Sequence, residues 1–120
     1  MSVVDNYILV TGISDDDVGH DLPKAIIELN ETIAPNQHGR GFLRIDHHAG
    51  GYKAFEADAF AFAGNCFGLE SMAAALSAIR WSSPEEVGLL HRGQYDEAFR
   101  FYQLSDLKKL VQNSAREIVR

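Results

Sequence analysis

Cysteine and proline are scarce in this chain, and long apolar runs are missing. A single cysteine, Cys66, among 120 residues rules out an intramolecular disulfide and suits a reducing compartment. Only three prolines interrupt the chain, which leaves most of it open to regular structure. No stretch nears the roughly 18 apolar residues of a membrane span. The opening MSVVDNYILV lacks the basic flank and small-residue cleavage site of a secretory leader, so the cytoplasm is the expected location. Positive charge is also short: 17 acidic residues against 11 basic ones give −6, which makes non-specific nucleic-acid binding an unpromising role. Gly-x-Ser-x-Gly, a phosphate-cradling glycine loop with lysine, and a dinucleotide fingerprint are all absent.

What remains is ordinary globular material, 46% hydrophobic and 23% charged. Residues 1–120 make one domain, long enough to bury about two-thirds of its unfolded surface. Its charge is unevenly placed. Residues 1–39 hold seven acids (Asp5, Asp15, Asp16, Asp17, Asp21, Glu28 and Glu31) against Lys24, and the rest of the chain is balanced. Such a polarised surface steers a basic partner, although acids before a helix also serve its N-terminus.

The element order follows from periodicity. Tyr7-Ile8-Leu9-Val10 reads as a strand, and Leu22, Ile26, Leu29 and Ile33 mark a helix near 21–34. Residues 42–46 and 53–63 read as two strands about the Ala49-Gly50-Gly51 turn. On the second of these, Phe55, Ala57, Ala59, Ala61 and Ala63 share one side, while Glu56, Asp58, Phe60 and Phe62 share the other. The small alanine side is expected to receive a helix, leaving Phe60 and Phe62 half covered or at an interface. Residues 69–79 form a second helix, and 87–91 and 98–104 form a hairpin around Gly93-Gln94-Tyr95-Asp96. A last helix is capped at Ser105-Asp106. The order β-α-β-β-α-β-β-α predicts an α+β fold. Its sheet is mainly antiparallel with helices on one face, of the ferredoxin-like or split β-α-β kind.

Two polar clusters have the residue types for chemistry. Asp46-His47-His48 follows the second strand, and Asp15, Asp16 and Asp17 follow the first. Carboxylates and imidazoles at strand ends are suited to a divalent metal such as manganese. Asp46-His47-His48 after an apolar strand resembles the name-giving motif of the DHH phosphoesterases, and Asp15-x-Asp17-Val18 is similar to that family's first metal motif. The resemblance implies that Asp15, Asp17, Asp46, His47 and His48 hold metal ions that activate water against a phosphate ester. It covers these motifs alone, with one helix's length of chain between them. Simpler roles also exist: the aspartates cap the first helix, and the histidines occupy a turn. Cys66 stands between a strand and a helix, where a small buried thiol is the plain reading. His20, His38 and His91 show no sequence partner.

The second half is rich in aromatics. Phe99 and Phe101 should share one side of their strand, with Arg100 and Tyr102 on the other. Aromatics with arginine at a surface make good interface anchors. Residues 41–51 and Trp81-x-x-Pro84-Glu85 resemble segments of small phage and bacterial proteins that have no assigned activity. That resemblance implies an accessory protein acting in a bacterial cytoplasm, the host's if phage-encoded. No complete catalytic set is visible. The expected role is therefore a non-enzymatic interaction protein that binds and modulates a bacterial protein, with homo-oligomer formation through the sheet. Asp15, Asp16, Asp17, Phe60, Phe62, Arg100 and Tyr102 are the expected contact residues, and the metal phosphoesterase is the alternative.

Overall fold

The computed structural model describes residues 3–13, 22–53 and 55–118. It is an α+β fold with one five-stranded sheet and three helices: β1 (Val4–Thr11), α1 (Lys24–Ile33), β2 (Leu43–Arg44), β3 (Asp58–Asn65), α2 (Leu69–Ser77), β4 (Gly88–Gly93), β5 (Arg100–Gln103) and α3 (Leu104–Ile118). The strands lie in the order β2-β3-β1-β4-β5, and every neighbouring pair is antiparallel. Among the described residues no helix is long and apolar enough to cross a membrane.

β1 is central because its alternation supplies large inward residues. Tyr7 stands opposite Phe62 on β3 and His91 on β4, and Leu9 opposite Phe60 and Leu89. These side chains form one continuous core with Ile26, Leu29 and Ile33 of α1, Met72 and Leu76 of α2, and Leu107 of α3. All three helices therefore cover the same side of the sheet. Tyr7 is fixed at both ends: its ring stacks on His91 at 4.9 Å, and its hydroxyl donates to the Phe67 carbonyl at 2.6 Å. Burial, then the nearby Asp5 carboxylate, pushes its pKa well above the usual phenol value, so it stays a donor throughout the working pH range.

The phenylalanine side of β3 is the covered one, which reverses the expectation from its alanines. Phe60 and Phe62 are buried, whereas Ala63 is exposed on the far side. A sheet and a helix layer lie about 10 Å apart, and phenyl rings span that gap where alanines leave it empty. The strand also begins later than its sequence pattern, at Asp58, and residues 55–57 precede it without strand pairing.

β2 is only two residues long, and side-chain amides complete the outer edge of the fold. Asn30 on α1 donates to the Phe42 carbonyl at 3.1 Å and accepts the Phe42 N–H at 2.8 Å. Gln37 does the same for Asn65, at 3.0 and 2.7 Å. Each amide thus replaces a missing strand with a matched donor and acceptor. Gly41 makes room for the first clamp, since a Cβ there would lie 2.4 Å from the Asn30 carbonyl oxygen. Asn30→Ala should cost about 2 kcal/mol, because the backbone groups of buried Phe42 lose their partners. Gly41→Ala should act in the same direction by dislodging the clamp. In urea denaturation the double variant should cost little more than Asn30→Ala alone, since both remove one interaction.

Candidate functional site

The Asp46-His47-His48 motif forms a 3-10 turn directly after β2. Asp46 is already occupied there. Its Oδ1 accepts the Ala59 N–H at 2.9 Å and pairs with Arg44 Nε at 3.0 Å. Arg44 reaches on to Asp58 at 2.7 Å and lies over the Phe60 ring, 5.5 Å from its centroid. All three charged side chains are over 90% buried. Burial alone would raise the Asp46 pKa, but the Ala59 N–H and the Arg44 guanidinium hold it below the usual carboxylate value.

Arg44 ends β2 and Asp46 opens the 3-10 turn two residues later, and both reach the start of β3. The Ala59 N–H that completes the arrangement comes from the neighbouring strand, 13 positions later. The histidines take no part in this cluster. His47 Nε2 is 3.9 Å from Asp46 Oδ2, beyond hydrogen-bond reach, and both His47 and His48 are exposed.

Asp15, Asp16 and Asp17 lie outside the described residues. The strands that would bring the two motifs together are not neighbours, because β3 runs between β1 and β2. Two strand spacings, about 9.6 Å, therefore separate β1 from β2. Among the described residues no three His, Cys, Asp or Glu side chains converge as a metal set. Cys66 is exposed rather than buried, and takes a left-handed backbone, φ 54°, where β3 ends. His91 does have a partner that its sequence position hides: its Nε2 lies 2.8 Å from Asp5 Oδ1 across the β1–β4 pair. Only the strand register shows this, since the two residues are 86 positions apart.

A cleft of about 230 Å³ opens where β1 ends, between the start of α1 and the segment leading to β4. Lys24 and Arg80 line it along with Glu28 and Glu86, beside the Trp81 indole. Among the described residues these charges balance. Trp81 braces its wall by donating to the Leu76 carbonyl at 3.0 Å.

The more distinctive surface is the side of the sheet without helices. Leu43 stands opposite Ala61, Ala61 opposite Ile8, Ile8 opposite Leu90, and Leu90 opposite Phe101. One apolar row thus crosses all five strands in register. Leu43 is 71% exposed and Phe101 59%, with Phe99 beside them at 46%. By strand alternation the only charged strand residue on this side is Arg92, although charged residues make up 23% of the chain.

The expected contact residues that are described all belong to the helix-bearing side. Phe60 and Phe62 lie inside the core, out of a partner's reach, and Tyr102 packs against it. Arg100 is exposed, but by alternation it belongs to the helix-bearing side with Tyr102. Phe99 and Phe101, noticed in sequence as sharing a side, are the aromatics that face outward. Comparison with known proteins finds no protein family, no curated protein and no solved structure that matches this chain.

Proposed function

We propose that this chain is a non-enzymatic interaction domain that binds and modulates a bacterial protein, and that it docks through the open side of its sheet. The observation that carries this reading is the in-register row from Leu43 to Phe101. Soluble chains seldom leave so continuous an apolar face without a partner. Strand order supports a finer description of the fold as well: β4-β1-β3-β2 is the ferredoxin-like order, here extended at one edge by β5.

The acidic segment takes a different place in this reading. Glu28 and Glu31 are exposed on α1, which covers the opposite side of the sheet. Attraction of a basic partner by these two glutamates would therefore act on the helix side, away from the apolar row. Asp46 is better explained as a structural carboxylate than as a metal ligand, since Arg44 and the Ala59 N–H already hold it.

A photo-reactive phenylalanine analogue in place of Phe101, introduced in bacterial cells, tests the docking face. Position 101 should give a discrete cross-linked species, whereas Glu70, exposed on α2, should give none when replaced in the same way. Equal background from both positions would remove the reading.

A further inference from the structure

We propose that the occupant of the open sheet face is a second copy of this chain, packed face to face about a two-fold axis parallel to β1. This rests on the docking reading above for the face, and sets a second copy there in place of another protein. β1 is the middle strand of five, so such an axis sets β2 of one copy over β5 of the other, and β3 over β4. In the central row Ile8 then meets its own copy, Ala61 meets Leu90, and Leu43 meets Phe101. Small faces large on both sides of the axis. The alternative two-fold, running along the row, sets Ala61 on Ala61 and leaves a void that close packing disfavours. Next to the row, Gly88 is overhung by Phe101: a Cβ there would come within 2.6 Å of that ring. The aromatic at the edge therefore fills the place of a missing side chain on β4.

Charge points to the same occupant. A face whose one charged strand residue among those described is Arg92 offers a strongly charged partner little to pair with, while it matches another face that is as sparsely charged. Area sets the strength of the pairing. The five strands, eight, two, eight, six and four residues long, average about 18 Å in length at about 4.8 Å spacing and give roughly 450 Å² per copy, or about 900 Å² buried in all. That is the size of a weak, reversible interface, so the pairing should depend on concentration. Each copy also carries −6, so the two repel through solvent. Salt should therefore strengthen the pairing by screening, opposite to its effect on a basic partner held by the acidic segment.

Sedimentation equilibrium of the full chain from about 5 to about 500 µM reads this directly. The mass should rise from 13.3 kDa towards twice that value, and the rise should come at lower concentration as salt is added. Leu43→Glu and Phe101→Lys should each weaken pairing at least about tenfold, with unchanged circular dichroism because both side chains are exposed. Mixing the two variants should restore a heterodimer, since positions 43 and 101 face each other in this arrangement.

A chain that remains monomeric at every concentration and salt overturns the proposal, as does a dimer that neither variant weakens. A monomer that still cross-links another protein from position 101 overturns the second copy but leaves the docking reading intact. A monomer with no cross-link removes both.

Discussion

Arg44→Ala is expected to destabilise the domain by about 3–5 kcal/mol, the cost of removing one partner from a buried ion pair. Asp46 and Asp58 would keep their buried carboxylates without the guanidinium that lies 3.0 and 2.7 Å away. The melting temperature should fall by about 10–20 °C for a domain of this size. Adding Asp58→Asn to Arg44→Ala should recover part of the loss by removing one of the two buried negative charges.

The loss should also depend on pH in a definite direction. The folded pKa of Asp46 is held below its unfolded value, despite burial, by the Ala59 N–H and Arg44. A depressed carboxylate adds stability above its unfolded pKa, about 3.9, and that stability disappears as pH falls through the folded value. Without Arg44 the burial effect is less opposed, so the Asp46 pKa rises and less of this contribution survives. The gap between parent and variant should be widest near neutral pH and narrow below about pH 4. Urea denaturation at pH 7 and at about pH 3.5 checks it. A gap that does not change with pH would mean that Arg44 acts through its stem and guanidinium plane on Phe60, rather than through its charge.

Periodicity was a sound guide to element order and a poor guide to which side of a strand turns inward. The apolar spacing of Ile26, Leu29 and Ile33 located α1, and Leu69 opened both the expected and the observed second helix. Alternation on β3 separated the alanines from Phe60 and Phe62 correctly, yet alternation carries no label for the interior. Partner strands provide that label: Tyr7, Leu9, Leu89 and Tyr102 all fall on the phenylalanine side. The same limit applies at β5, where Phe99 and Phe101 were separated from Arg100 and Tyr102 without saying which pair faces out.

Asp46 shows a second limit. An aspartate before two histidines suggests a ligand by type, and nothing local shows that a backbone N–H at position 59 will claim it. Arg44, two residues earlier, was the available clue, because a guanidinium so near in sequence can pair with the Asp46 carboxylate. Asn30 and Gln37 gave no signal at all. An asparagine in a helix and a glutamine in a loop look like solvent residues until the short β2 leaves backbone groups for them to satisfy.

Phe60→Ala against Ala61→Leu is the sharpest test of the sheet's polarity, and the first carries the other large effect. Phe60 is fully buried, stands opposite Leu9, and supports the Arg44 guanidinium. Its truncation leaves a cavity in the middle of the core and should cost about 3–5 kcal/mol. Ala61 lies on the open side between Ile8 and Leu43, where a larger residue meets no helix. Ala61→Leu should stay within about 0.5 kcal/mol of the parent. Were the helices on the alanine side, the ranking would reverse: Ala61→Leu would overpack by about 1–3 kcal/mol, and Phe60→Ala would be mild. Both variants should be melted at low micromolar concentration, where pairing of copies contributes nothing to stability. Combining Phe60→Ala with Arg44→Ala should cost less than the sum of the two, because the ring and the guanidinium lose the same contact. Strict additivity would mean that the stacking of Arg44 over Phe60 adds nothing to stability.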